Sequence, residues 1–449
     1  MALDEVDLLA RLGVRARARV RPLGERRVVW VELSDGSLAP PLTAQAGALW
    51  EEAVRTALRE RIPLVTVINS AGADIREGIA ALAGWGRVAR TLTEASGVIP
   101  TIAILDGPAV SGPALLLGMT DLTVATEGSY AFVNGPVMVR QFTGIDVSKE
   151  ELGSPSSLER NAGVPVAVVG DLAAACDLVE DLLAYVPDHA DELPPPWPLA
   201  DPPDRLCPEA GELIPASSTG SYDVRKVAEA IVDDGSLLEL RERWAGNVMT
   251  ALAAVAGRPI GIVANQPMNL AGTLDIPGSQ KAARFVAFCD AFNLPILTLV
   301  DTPGFYPGKD LEWRGMIRHG AQLVYAYANA TVPRICVILR KSYGGAYIVM
   351  DSKTMGNDVC LAWPWAELAV MGAGQAAAVL QRRATPEERA AFEADYAERL
   401  LNPYVAAERG YVDAVIDPAD TRREVAAALD LLATKRERLP RRKHGNTPL

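Results

Sequence analysis

The sequence predicts an α/β protein made of two copies of one unit, because the same landmarks recur along the chain at a nearly constant spacing. The recurring pairs are Leu42 and Leu274, Pro63 and Pro295, Gly72 and Gly304, Pro100 and Pro333, and Gly112 and Gly345. The first three pairs are 232 residues apart (304 − 72) and the last two are 233 apart (345 − 112). Landmarks that agree within one residue indicate a duplication.

Each copy has the same predicted order of elements. The apolar runs 63–70 and 295–302 are bounded by proline and glycine, as are the runs 100–105 and 333–339. Runs of this length with such boundaries are typical of buried strands. Each copy therefore reads as strand, helix, strand, glycine turn, helix and strand, followed by a second glycine-rich turn and a helix.

A proline-rich stretch predicts where one copy ends and the next begins. At 449 residues the chain is longer than one core usually holds. Prolines crowd the segment 191–220, where they remove backbone donors and fix φ, so this segment is expected to be an extended linker. The expected domains are residues 1–190 and 221–433, with a basic tail at 434–449 and a helix starting after Asp223 as its N-cap.

Composition excludes several classes of function. The net charge of −12 argues against nucleic acid as a partner, and no apolar stretch reaches the length of a membrane span. Residues 1–5 do not open a signal peptide, and the five scattered cysteines contain no Cys-x-x-Cys pair. We expect a cytoplasmic protein with reduced thiols, no bound metal and no membrane contact.

Two glycine turns carry the predicted chemistry. The strand 333–339 runs into Gly344 and Gly345, and the strand 100–105 runs into Ser111 and Gly112. Most such turns are ordinary, but backbone N–H groups at a strand end can also bind an oxygen that gains negative charge. No Gly-x-Ser-x-Gly motif or Gly-x-Gly-x-x-Gly motif is present, which disfavours a nucleophilic serine and a dinucleotide site. Two oxyanion holes, one for each reaction partner, remain as the favoured mechanism.

The segment from Asp223 to Arg382 resembles the carboxyltransferase (β) subunit of biotin-dependent acyl-CoA carboxylases of the propionyl-CoA and acetyl-CoA type. The first copy resembles this family more loosely, through segments 73–78, 132–136 and 151–153. The motifs that carry the resemblance in the second copy are segments 261–267, 274–276, 281–285, 288–293, 300–305, 315–321, 340–347, 362–364 and 369–372.

This resemblance implies two tandem crotonase-like ββα-superhelix domains, assembled as a ring of dimers into a homo-hexamer. It implies an active site between the first domain of one subunit and the second domain of another. Acyl-CoA is then expected on the first domain, where amides of Ser111 and Gly112 hold the thioester oxygen. Carboxybiotin is expected on the second domain, where amides of Gly345 and Ala346 hold the ureido oxygen. Further contacts with substrate or cofactor are implied for Gly72, Ala73, Gly304, Gly344, Tyr347 and Ile348.

The resemblance also implies partners. The chain has no Ala-Met-Lys-Met biotinylation site and no ATP-binding glycine loop of the ATP-grasp type. Biotin is therefore expected on a separate biotin carboxylase and biotin carrier subunit. We expect the chain alone not to carboxylate any acyl-CoA from bicarbonate and ATP.

Departures from the family pattern lie mostly in the first copy. Asp74 stands where the family has arginine, Ser111-Gly112-Pro113 replaces Gly-Gly-Ala, and an N-terminal helical extension is shortened. In the second copy Trp313-Arg314 replaces His-Gly. Ile348 stands at the acyl-pocket position, where the family often has aspartate or isoleucine; it either forms an apolar wall for a hydrocarbon acyl group or is a core residue. These departures leave three alternatives open: a carboxyltransferase with an unusual acceptor, a biotin-independent acyl-CoA decarboxylase, and a weakened scaffold paralogue. Arg340 and Lys341 either hold a phosphate or orient the loop, or they lie at a solvated loop edge.

Overall fold

The structure is a computed structural model that describes residues 6–7, 16–33, 39–198 and 201–448. It divides into two compact units. Unit 1 comprises the residues up to Pro195 together with Arg241–Trp244, and unit 2 comprises Pro196–Leu240 and the residues from Ala245 onward. The prediction that concerned a signal peptide at residues 1–5 lies outside the described residues.

Unit 1 has one mixed sheet flanked by helices. Its described strands are β1 (Val6–Asp7), β2 (Arg17–Leu23), β3 (Arg26–Glu32), β4 (Leu64–Ser70), β5 (Thr101–Val110), β6 (Leu122–Thr126), β7 (Tyr130–Phe132) and β8 (Ala167–Val169). They pair in the order β1-β2-β3-β4-β5-β6-β8, and β7 also pairs with β5. The pairs β1·β2 and β2·β3 are antiparallel and the others are parallel.

The described helices of unit 1 are α1 (Ala44–Glu60), α2 (Ile79–Ala95), α3 (Gly112–Leu117), α4 (Pro136–Thr143), α5 (Lys149–Gly153), α6 (Pro155–Ala162) and α7 (Leu172–Leu183). Except for α2, which follows Gly78, they begin at side-chain caps or prolines. In α1, Thr43 Oγ1 accepts a hydrogen bond from the Ala46 amide at 3.1 Å, which satisfies one of the unpaired first-turn donors. The apolar face of α1 then buries Trp50 and Val54 against the sheet.

Unit 2 repeats this sheet. Its described strands are β9 (Leu238–Leu240), β10 (Val248–Val255), β11 (Arg258–Asn265), β12 (Ile296–Thr302), β13 (Arg334–Tyr343), β14 (Val359–Ala362), β15 (Glu367–Ala369) and β16 (Ala414–Val415). The order is β16-β14-β13-β12-β11-β10-β9, with β15 beside β13. Only the pairs that involve β10 are antiparallel within the described sheet.

The helices of unit 2 are more numerous than those of unit 1 within the described residues. They are α8 (Pro208–Glu212), α9 (Val224–Ile231), α10 (Ile276–Ala291), α11 (Lys309–Trp313), α12 (Met316–Asn329), α13 (Gly344–Val349), α14 (Ala373–Leu380), α15 (Pro386–Tyr396), α16 (Pro403–Glu408) and α17 (Thr421–Leu431), with a π-helical turn at Ala397–Leu401 between α15 and α16. The expected N-cap at Asp223 is confirmed, since its carboxylate accepts from the Arg225 amide at 3.1 Å.

The duplication predicted from the sequence is confirmed by matching irregularities. The register of β4·β5 shifts between Ile68 and Ser70, and that of β12·β13 shifts between Val300 and Thr302. An isolated bridge joins Leu42 to Ala73 in unit 1 and Leu274 to Phe305 in unit 2. Both residues of the second bridge lie 232 positions after their counterparts (305 − 73), so the two copies share their local geometry as well as their element order.

The proline-rich segment differs from the extended linker that the sequence predicts. From Pro196 onward it belongs to unit 2, and Cys207 and Ala210 are buried in that unit's core. Pro208 starts the short helix α8, where its missing N–H costs nothing because first-turn donors have no partner within a helix. Proline content therefore marked a boundary at its beginning but not an unpacked connector. No described helix has the length and apolar character of a membrane span.

Candidate active site

The turn predicted in unit 2 places free amides at the start of a helix. Strand β13 ends at Tyr343, and Gly344 has a φ of +61°, a backbone conformation that favours glycine. Helix α13 follows at once, so the amides of Gly345 and Ala346 lie in its first turn and have no partner within the helix. Gly345 is exposed and Ala346 is buried. This geometry can hold an oxygen that carries negative charge.

A buried ion pair fixes the strand end that carries this turn. Asp301, at the end of β12, accepts hydrogen bonds from Arg340 Nε at 3.0 Å, from the Tyr222 hydroxyl at 2.9 Å and from the Lys341 amide at 3.1 Å. Burial raises the pKa of Asp301, and the neighbouring Arg340 guanidinium opposes that rise. The Asp301 carboxylate therefore links β12 to Tyr222 and to the end of β13, just before the glycine turn.

The structure removes Arg340 from the candidate phosphate ligands. Its guanidinium is buried, and besides Asp301 it donates to the carbonyls of Ser217 and Gly220 at 3.3 and 2.8 Å. Arg340 is neither a phosphate ligand nor a residue at a solvated edge, because its Nε and Nη1 groups are used inside unit 2. These bonds agree with the remaining expectation, that Arg340 orients the loop. Lys341 is half-buried, and burial together with Arg340 lowers the pKa of its ammonium group.

Two cavities flank helix α13, and Gly345 and Ile348 line both of them. The α12 cavity, of about 490 Å³, is bounded by Phe305 and by one face of α12 from Met316 to Val324. The α16 cavity, of about 530 Å³, is bounded by the end of β15 and by residues 396–411 of the α15–α16 region. Both volumes lie in the range of small-molecule sites. Ile348 thus forms part of an apolar wall in each cavity.

Tyr347 faces the α16 cavity. Its hydroxyl is buried and has no hydrogen-bond partner in the described part of the chain. Burial raises the pKa of this phenol, so the group is a neutral donor over the ordinary pH range. The neighbouring Tyr343 hydroxyl donates to the Glu367 carboxylate and is fixed by that bond. A buried hydroxyl without a partner marks a place where a ligand oxygen can be accommodated.

The corresponding turn of unit 1 is built differently. Ser111 occupies the position of Gly344 with φ +60° and ψ −117°, which is an unfavourable conformation for a residue with a side chain. The Ser111 amide donates to the Phe132 carbonyl at 3.0 Å, so the expectation that it faces a substrate oxygen conflicts with its pairing. Pro113 has no amide hydrogen, which leaves Gly112 as the donor of this turn. Gly112 is packed so closely that an added Cβ would lie 2.9 Å from the Trp85 indole.

Replacing Ser111 with glycine is expected to raise the melting temperature by about 2–4 °C, which corresponds to about 1 kcal/mol in a unit of this size. The gain is the relief of backbone strain less the entropy that glycine loses on folding. Differential scanning calorimetry measures the shift. The exposed Ser156, in the first turn of α6, is a matched control with helical backbone. Ser156→Gly should lower the melting temperature, and a rise in both variants would contradict the assignment of strain to Ser111.

The remaining predicted contact residues shape the first turn of each unit. Gly72 has a φ of +107° and Gly304 a φ of +143°, and their carbonyls accept from Leu42 and Leu274 at 2.7 and 3.1 Å. Ala73 is half-buried beside Gly72. These bonds explain the two glycines structurally. Whether the turns also touch a ligand stays a prediction.

A charge arrangement at the unit 1 turn follows from the departure at Asp74. Its buried carboxylate accepts from Arg76 Nε at 2.9 Å and from Nη2 at 2.6 Å. Arg76 is 83% exposed, so the turn still presents a guanidinium to solvent although the family arginine is absent. Sequence reasoning noticed Asp74 but missed its bidentate partner two residues later.

Comparison with known proteins gives consistent matches over most of the chain. Residues 28–447 match the carboxyl transferase domain family. The propionyl-CoA carboxylase beta chain of Saccharopolyspora erythraea is 46% identical over 412 residues, which cover 88% of this chain and 76% of that protein. The methylmalonyl-CoA carboxyltransferase 12S subunit of Propionibacterium freudenreichii is 43% identical, with 88% and 77% covered.

Solved structures give the same result. A crystal structure of transcarboxylase 12S, described as a hexamer with hydrolysed methylmalonyl-coenzyme A bound, superposes with a TM-score of 0.96 at 38% identity. The match covers 99% of this chain and 90% of that one. A decarboxylase is also similar, since the methylmalonyl-CoA decarboxylase subunit alpha of Veillonella parvula is 40% identical over 95% of this chain and 86% of that subunit.

Proposed function

The chain belongs to the carboxyl transferase family, as a subunit of the biotin-dependent acyl-CoA carboxylase type with a crotonase-like fold, and from this membership we propose its reaction. The proposed reaction moves a carboxyl group from biotin, carried by a partner protein, to the α-carbon of an acyl-CoA. The observation that carries the proposal is the first turn of α13, where exposed Gly345 lies between two cavities.

The residues present fit biotin as the carboxyl carrier. A ureido group is flat, with weakly polar faces and an edge that carries one acceptor oxygen and two nitrogens. The Gly345 and Ala346 amides offer two donors for that oxygen, and Phe305 and Ile348 offer apolar surface beside them. When bound, biotin supplies the carboxyl group and a ureido nitrogen that can accept the α-proton. The chain itself provides no side chain for that proton transfer in this proposal.

The two glycine turns act on the two oxygens that gain charge. In unit 2 the Gly345 and Ala346 amides hold the ureido oxygen. In unit 1 the Gly112 amide holds the thioester oxygen while the α-carbon loses its proton and gains the carboxyl carbon. Each such donor is worth about 2.7–4 kcal/mol of barrier in comparable sites. The apolar walls of the two cavities strengthen the interactions in unit 2 because they lower the local dielectric constant.

A short apolar acyl group and a homo-hexamer complete the proposal. Ile348 presents hydrocarbon where a polar acyl group would need a partner, and named relatives act on propionyl-CoA or methylmalonyl-CoA. The solved 12S relative is a hexamer. Each unit of this chain exposes large apolar side chains, among them Ile75 and Phe142 in unit 1 and Ile317 and Val370 in unit 2. Such surface on one chain favours burial against further copies.

Reconstitution with a partner tests the proposed function. The full chain is mixed with a biotin carboxylase and biotinylated carrier subunit, ATP, labelled bicarbonate and a panel of acyl-CoAs. We expect label in a short-chain acyl-CoA when the partner is present, and none when the chain or the partner is left out. Label transferred by the chain alone, or no label with any acceptor, would contradict the proposal.

The second candidate is a protein with a weakened acyl-CoA site in unit 1, and one observation favours it. Of the amides at the unit 1 turn, the one at Ser111 is already paired and position 113 has none. Decarboxylation needs the same thioester-oxygen contact. Release of CO₂ from methylmalonyl-CoA, assayed with the chain alone, therefore separates a biotin-independent decarboxylase from a carboxyltransferase and from an inert scaffold.

A further inference from the structure

Arg409 is a cation at the edge of the α16 cavity. It follows the last turn of α16, is exposed, and lines the cavity together with Gly345 and Ile348. Its guanidinium makes no hydrogen bond or ion pair within the described part of the chain. Two other arginines of the α15 region are engaged: Arg399 with the Asp395 carboxylate, and Arg389 with the Gln381 and Arg382 carbonyls.

The walls around Arg409 carry no opposing charge. None of the described residues that line the α16 cavity is acidic, and those nearest to Arg409 along the chain are Val405, Ala406 and Tyr411. The Arg409 guanidinium therefore has donors available to a ligand beside an apolar wall. The arrangement favours a planar anion that can accept two parallel hydrogen bonds, which is the geometry of a carboxylate.

The corresponding helix of unit 1 shows that the fold does not need a cation at the end of this helix. Helix α6 of unit 1 begins with Ser154 as N-cap and Pro155, as α16 begins with Asn402 and Pro403. Seven residues after each N-cap stand Asn161 in unit 1 (161 − 154) and Arg409 in unit 2 (409 − 402). Asn161 donates to Ser157 Oγ at 3.2 Å within its own helix. The charge at position 409 is therefore a feature of unit 2 and its cavity.

From these observations we propose that Arg409 binds the carboxylate of a carboxylated acyl thioester in the α16 cavity. The inference rests on the proposed function and deepens it by assigning the residue that recognises the transferred group. In a carboxyl transfer, the carboxyl group is the part of the thioester that must reach the Gly345 turn. Arg409 lines the same cavity as that turn. The CoA phosphates are separated from the carboxyl group by the whole pantetheine arm, so they are the weaker candidate.

Direct binding tests the assignment without turnover. Isothermal titration calorimetry of the full chain in its native assembly measures the affinity for methylmalonyl-CoA, propionyl-CoA and CoA. Arg409→Gln should weaken the binding of methylmalonyl-CoA about ten-fold or more, as expected for the loss of hydrogen bonds to a charged group. Propionyl-CoA and CoA should bind within two-fold of the unchanged protein. The affinity of Arg409→Lys for methylmalonyl-CoA should lie between those of the unchanged protein and Arg409→Gln, because lysine keeps the charge and loses the planar fork.

Arg399→Gln is the matched control, because Arg399 lies in the same region, is paired with Asp395 and does not line the cavity. It should leave all three affinities unchanged. Equal weakening of all three ligands by Arg409→Gln would assign Arg409 to the CoA phosphates and overturn the proposal. Unchanged methylmalonyl-CoA binding would overturn it too. Carboxyl transfer that persists alongside unchanged binding would refute the role of Arg409 while leaving the proposed function intact.

Discussion

Replacing Ala346 with proline will lower kcat for carboxyl transfer by about 10²- to 10³-fold, the usual cost of one lost oxyanion donor. The substitution removes one amide hydrogen from the first turn of α13. Proline is compatible with the first turn of a helix, since the donor it removes has no partner within the helix. Rate measurements with the reconstituted partner at saturating acyl-CoA would give the change in kcat directly.

The repeat supplies the structural control for this variant. Pro113 of unit 1 occupies the position that corresponds to Ala346 (346 − 113 = 233) and lies in a well-formed helix α3. The Ala346→Pro protein should therefore keep its melting temperature within a few degrees. The reciprocal change, Pro113→Ala, adds a donor to the unit 1 turn and should raise kcat. If kcat falls only a few-fold in folded Ala346→Pro protein, this amide does not carry the transition-state charge.

Removing the Asp301 carboxylate is expected to lower the free energy of unfolding of unit 2 by about 3–5 kcal/mol. Asp301→Ala leaves the buried Arg340 guanidinium without its anion and leaves the Tyr222 hydroxyl and the Lys341 amide without their acceptor. Breaking a buried ion pair from one side has this cost because the remaining charge is not compensated. Chemical denaturation followed by the fluorescence of unit 2 tryptophans would measure it.

A double variant distinguishes loss of charge balance from loss of packing. Asp301→Leu combined with Arg340→Met replaces both charges with apolar groups of comparable size, and such replacements are often nearly neutral. The double variant should therefore be clearly more stable than Asp301→Ala. Equal stability of the two proteins would mean that the cost comes from the hydrogen bonds to residues 217–222 and 341, and not from the isolated charge.

Features set by local sequence were predictable from the chain. The offset of 232–233 residues gave the repeat, and Gly344 and Gly345 gave a turn that needs a positive φ. Features set by pairing across the sheet were not. The Ser111 amide is used by Phe132, which lies 21 positions further on (132 − 111) in a strand of only three residues. Nothing near Ser111 in the sequence indicates that bond.

Buried arginines show the same limit. Arg340 and Lys341 are adjacent and similar in sequence, but Arg340 lies inside unit 2 and Lys341 is half-buried. Their difference follows from strand alternation, which turns neighbouring side chains to opposite faces, and from Asp301 on the next strand. Arg409 was missed for another reason. Its setting depends on how α15, the π-helical turn and α16 fold back beside α13, and periodicity in the sequence does not report that arrangement.

Helix α13 separates the α12 cavity from the α16 cavity, and its residues Gly345 and Ile348 line both. A ligand that shifts this six-residue helix from one side changes the space available on the other. Thermodynamic linkage requires such an effect to be mutual: the factor by which the first ligand alters the affinity of the second equals the factor in the opposite direction. With biotin and the acyl thioester in these two cavities, as proposed, synergy or antagonism between them would depend on helix α13. Substitutions at position 348 should then change the affinity for both reactants together.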